Sequence, residues 1–135
     1  MKATALTIRI VSGLVGLALI TLGGFIWTGN FDQLIILHMS LGIFLVLTLW
    51  LAAALAAVRR VTPALVITGA VWGLVEIALG LAQEGLIPGD AHWVIQVVHL
   101  LFGIVTIALT QILAARIAAS APASGEMRGA KPTQA

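Results

Sequence analysis

The 135-residue sequence contains no cysteine, and only 9% of its residues are charged. The first absence removes disulfides, thiolate metal sites, iron–sulfur clusters and cysteine nucleophiles together. The second excludes a soluble domain, which needs far more charge to cover a surface of this size. Other signals are missing too. There is no basic patch of the kind a nucleic-acid surface needs, so nucleic acid is not expected as a partner. No metal-binding H-E-x-x-H, nucleophile elbow or phosphate-binding glycine loop occurs, so nothing points to hydrolysis. The length leaves room for one domain and no second core.

What fills the chain instead is hydrophobic residues, at 61%. They gather in four stretches, at about residues 6–27, 33–58, 64–83 and 92–117. Each is close to the roughly 20 residues needed to cross the hydrocarbon of a bilayer. The breaks carry turn chemistry: Thr28-Gly29-Asn30, then Arg59-Arg60-Val61-Thr62-Pro63, then Gly85-Leu86-Ile87-Pro88-Gly89-Asp90. Pro63 is well placed to open a helix. Residues 118–135, rich in Ala, Ser, Pro, Gly and Lys, read as a disordered cytoplasmic tail. Lys2 and Arg9 could mark a signal peptide, but the apolar run after them is long and lacks a small-x-small cleavage site, so it reads as an uncleaved helix.

Basic residues set the expected orientation. Lys2, Arg9, Arg59, Arg60, Arg116, Arg128 and Lys131 all fall on one side of the four segments, and Asp32, Glu84 and Asp90 on the other. The expected fold is therefore an all-α, multi-pass four-helix bundle in the cell inner (plasma) membrane, with both termini cytoplasmic. It also reads as two tandem helical hairpins. Gly16 and Gly23 in the first segment recur as Gly73 and Gly80 in the third, 57 positions on. His38 and Gly42 in the second recur as His99 and Gly103 in the fourth, 61 positions on. A two-helix repeat restores chain direction, so the second and fourth helices run parallel.

An ionisable side chain inside a membrane is costly and marks function by default. His38 and His99 each fall five to seven residues inside their helices, counted from the outer end. On parallel helices they reach one depth, roughly 8–10 Å into the bilayer at the α-helical rise. Two imidazoles facing one central space suit a haem, whose iron takes one nitrogen on each face of the ring. Gly42 and Gly103, one turn after each histidine, would let a flat macrocycle lie close to the helices. Gly16, Gly23, Gly73 and Gly80 would let the first and third helices approach each other or the ring. A chlorophyll-type pigment, whose magnesium also accepts histidine, and plain packing roles for the histidines are the alternatives.

His38 with Gly42 and His99 with Gly103 make the chain resemble a four-helix half of the haem A synthase family, and more loosely the small bis-histidine b-type membrane cytochromes. In that family each half places a histidine near the outer end of its second and fourth helices, and the pair binds one haem. The likeness runs to about Ile117. Leu34 and Ile35 occupy the turn where the synthase's haem-modifying half carries a glutamate, and its long outer loop with paired cysteines is absent. The resemblance thus implies haem b binding and electron transfer rather than haem modification.

Glu76 lies near mid-membrane, twelve residues into the third segment. It could bond a neighbour, carry protons or contact the cofactor. His92 reads as interfacial and Gln96 as a lesser polar position. Trp27, Trp93 and Trp50 suit a membrane aromatic belt, and Trp72 suits packing inside. Haem propionates would find no Arg or Lys on the outer side, only Trp27, Asn30, Gln33, His92, Trp93 and loop amides. Quinone, a larger respiratory or photosynthetic complex, or a second copy of the chain are the expected partners beside lipid. Two other functions fit the same residues: a small proton-coupled transporter using Glu76, and an accessory membrane subunit without chemistry of its own.

Overall fold

The computed structural model describes residues 2–29 and 31–120. Four helices account for nearly all of them: α1 Lys2–Trp27, α2 Ile35–Val58, α3 Pro63–Ala82 and α4 His92–Ala119. Each is long and apolar enough to cross a membrane, which makes the chain a multi-pass membrane protein. Large apolar side chains such as Leu14, Leu37, Leu47, Ile67 and Leu101 stand exposed on all four helices, on faces that lipid would cover. Most of the tail expected to be disordered, residues 121–135, lies outside the described residues.

Helix ends differ from the sequence expectation by four residues or fewer. α1 starts four residues early because no breaker separates Lys2 from Leu6, and the Thr7 hydroxyl donates back to the Ala3 carbonyl at 3.1 Å. α2 starts two residues late because the chain enters through a 3₁₀ turn, Asp32–Leu34, closed by the Leu34 amide on the Phe31 carbonyl at 2.9 Å. At the α2–α3 corner the Arg60 and Val61 amides donate to the Ala57 and Ala56 carbonyls, both at 3.0 Å. That closure puts Arg60 at φ 55°, where glycine is usual, at a cost of about 1–2 kcal/mol. Pro63 is the first residue of α3, as expected.

The helices run up, down, up, down. α2 and α4 are parallel and touch along the centre of the bundle. α1 packs against both from one side and α3 against both from the other. Among the described residues α1 and α3 make no contact, so of the two approaches expected for the glycines, to each other or to the ring, the first is corrected. Gly16 meets Ile107 of α4 instead, and Gly73 meets Val46 and Trp50 of α2.

Burial repeats along the chain. α2 buries Leu45, Val46, Thr48, Leu49, Ala52, Ala53 and Ala56. Sixty-one positions on, α4 buries Thr106, Leu109, Thr110, Leu113, Ala114 and Ile117, and the remaining counterpart, Ile107, is half-buried. The contact of Gly16 with Ile107 likewise maps onto that of Gly73 with Val46. The two hairpins are thus related by a pseudo-twofold axis between α2 and α4.

Packing is lopsided along that axis. One end of the bundle carries Lys2, Arg59, Arg60 and Arg116, and the half next to it holds the core of Ala5, Ile8, Leu49, Ala52, Leu113 and Ile117. Toward the other end, beyond Gly16, Leu45, Gly73 and Thr106, Ile95 is the only buried residue among those described. The inward faces there are only half-buried.

Candidate functional site

His38 and His99 face each other in that loosely packed half. Their ring centres are 6.3 Å apart, with planes tilted by 57°. His38 is the fourth residue of α2 and His99 the eighth of α4. They still meet at one level because α4 starts further out, after the longer loop 86–91.

Each ring has a glycine of its own hairpin behind it. A Cβ on Gly23 of α1 would lie 3.4 Å from the His38 Cε1, and one on Gly80 of α3 would lie 3.4 Å from the His99 Cε1. The same contact occurs twice, at the offsets of the repeat. Gly23 and Gly80 are therefore the site's backing positions, whereas Gly16 and Gly73 sit in the α1–α4 and α2–α3 seams nearer the basic end. Gly42 faces open space, with nothing within 4 Å of an added Cβ. Gly103 faces only Glu76, whose Oε1 would be 3.7 Å from such a Cβ.

Glu76 joins the pair on one side. Its Oε1 lies 3.8 Å from the His99 Nδ1, just beyond hydrogen-bond reach. The Nδ1 atoms of His38 and His99 and the Oε2 of Glu76 are all buried without a hydrogen-bond partner. Buried polar atoms are nearly always satisfied, and three orphans at one spot ask for a ligand or a rearrangement. The counterpart of Glu76 in α1, 57 positions earlier, is Leu19, so the carboxyl breaks the pseudo-twofold symmetry.

Trp72 fixes the wall beneath Glu76. Its ring stacks on Phe102 at 4.5 Å, and its indole N–H donates to the Thr106 hydroxyl at 3.2 Å and the Phe102 carbonyl at 3.3 Å. Trp50 lies mid-helix rather than in an end belt and donates to the Ala70 carbonyl across the α2–α3 seam at 3.1 Å. Trp27 and Trp93 are exposed at the acidic end, where a belt would place them. His92 is the first residue of α4 and its Nδ1 lies 3.3 Å from the Leu86 carbonyl, tying the loop to the helix. Gln96 is half-buried three residues before His99.

Among the described residues no three His, Cys, Asp or Glu side chains are grouped to hold a bare metal ion. A macrocycle changes that requirement, because it brings its own equatorial nitrogens and needs only two axial side chains. Imidazole nitrogens about 2 Å either side of one metal would leave ring centres about 6 Å apart, as these are. The histidine pair and the open Gly42 face fit such a group. No protein-family model matches this chain, and no curated protein or solved structure matches it either.

Proposed function

We propose that this chain is a membrane-embedded b-type cytochrome that holds one haem between α2 and α4 and passes electrons within the membrane. The observation that carries the reading is the facing of His38 and His99 at 6.3 Å in the half of the bundle that lacks a packed core. Bound there, the haem would supply one-electron chemistry at its iron. The chain's own residues would do the rest. His38 and His99 would bind the iron, Gly42 would leave a face open to the ring, and the apolar helices would exclude water.

In this reading both termini and Arg59-Arg60 lie on the cytoplasmic side of the inner membrane, and the haem lies in the opposite leaflet. The residues that would meet the propionates are Trp27, Gln33, His92, Trp93 and loop amides. Asn30 lies outside the described residues. The chain's electron partner in this reading is a quinol or a membrane-bound redox complex, reached within the bilayer.

An absorption spectrum tests this. Protein purified from cells well supplied with haem should show a Soret band, with α and β bands on reduction. His38→Ala and His99→Ala should each abolish the low-spin spectrum. A colourless wild-type protein would remove the proposal, and a magnesium-pigment spectrum would replace the haem with a chlorophyll-type ligand.

A further inference from the structure

We propose that Glu76 is the positioning residue of one ligand only, His99, so that the two histidines of the site are chemically unequal. This rests on the haem reading above.

Three observations carry it. First, the Glu76 Oε1 and the His99 Nδ1 are 3.8 Å apart, and the nitrogen has no hydrogen-bond partner. A closure of less than about 1 Å makes the bond. Second, the surroundings favour that closure. Gly103, one turn after His99, presents no side chain to the carboxyl, and Trp72, one turn before Glu76, clamps α3 to α4 through Phe102 and Thr106. Third, among the described residues the other half of the site has no such group. The His38 Nδ1 is also buried and unpartnered, but Leu19 stands in α1 where Glu76 stands in α3, and Gly42 faces empty space where Gly103 faces the carboxyl. Core burial and backing glycines repeat between the hairpins, so the fold does not impose this difference. The side chain at one position does.

A metal-ligating histidine normally donates its second ring N–H to an acceptor, often a carboxylate. That bond fixes the tautomer and the ring rotation and raises the basicity of the ligating nitrogen. Here Glu76 would accept from the His99 Nδ1–H while His99 binds through its other nitrogen. His38 would ligate without that support. The more basic ligand favours the oxidised iron, so Glu76 would lower the midpoint potential. A space-filling role asks only for an apolar residue, as Leu19 shows.

The experiment is an optical measurement of midpoint potential, with low-temperature EPR of the oxidised form, on full-length wild-type, Glu76→Gln and Leu19→Glu proteins. Glu76→Gln should raise the potential, alter the EPR signature and weaken haem retention about ten- to hundredfold at unchanged helix content. Leu19→Glu gives His38 the same kind of neighbour and should lower the potential. Unchanged potentials and EPR in the variants would overturn the inference and leave the haem reading standing. A wild-type protein without haem would overturn both. If Glu76→Gln does not fold, Leu19→Glu decides alone: a lowered potential supports the inference and an unchanged one overturns it.

Discussion

The glycine behind each histidine shows how little separates a site from ordinary packing at the level of single residues. A methyl at Gly80 would reach 3.4 Å from the His99 ring, an ordinary van der Waals distance. Gly80→Ala should therefore keep both the fold and the pigment. Gly80→Leu cannot, because its branched end needs the space that the imidazole occupies. We expect Gly80→Leu to lose most of the Soret absorbance at unchanged circular dichroism, while Gly24→Leu, where nothing lies within 4 Å, loses none. The histidines themselves were legible in the sequence from their depth and paired spacing. The backing role of Gly23 and Gly80 was not. A seven-residue spacing marks one face of a helix but does not say which neighbour that face meets.

Two seams between helices use the same position of the repeat with different chemistry. Trp50 of α2 donates to the Ala70 carbonyl of α3. Sixty-one positions on, Gln111 of α4 donates to the Arg9 carbonyl of α1 at 2.8 Å and to the Ser12 hydroxyl at 3.0 Å, and accepts from the Arg9 Nε at 3.1 Å. Without a hydrophobic drive between helices in lipid, such bonds and close packing hold the elements together. Gln111→Leu should therefore destabilise the bundle by about 0.6 kcal/mol and at most about 1.7 kcal/mol, measured by reversible unfolding in mixed micelles. A loss well above that range would mean that the cluster supports more than the α1–α4 seam. The helices were legible as apolar runs bounded by Gly, Asn and Pro. The role of Gln111 was not legible, since its partners lie about a hundred positions away.

For the whole molecule, the uneven packing joins the fold to the proposed haem site. The basic half is a close-packed core, and the acidic half has its inward faces only half-buried. A cofactor placed there would complete the bundle, so haem-free protein should unfold more easily than haem-loaded protein, by mass action on the folded state. Orientation belongs to the same scale. Reporter fusions at the two termini should both read as cytoplasmic, and a reporter in the 86–91 loop as external. Termini reading on opposite sides would remove the four-span topology, and both reading as external would reverse the orientation proposed here.

Composition and periodic spacing by themselves determined that the chain forms four helices long and apolar enough to cross a membrane, and placed their ends to within four residues. Lipid tolerates little charge and demands about 20 apolar residues per span, so the spans are written in one dimension. Counting along those spans set His38 and His99 at a common level, and their rings do meet there, 6.3 Å apart. Only the tertiary structure decided that α2 and α4 form the central pair, that α1 and α3 stay apart, and that Glu76 turns to His99 while His38 has Leu19 in the matching place. Those are matters of rotation about helix axes and of which faces pack, and in lipid they are set by side-chain contacts between distant positions rather than by hydrophobic pattern.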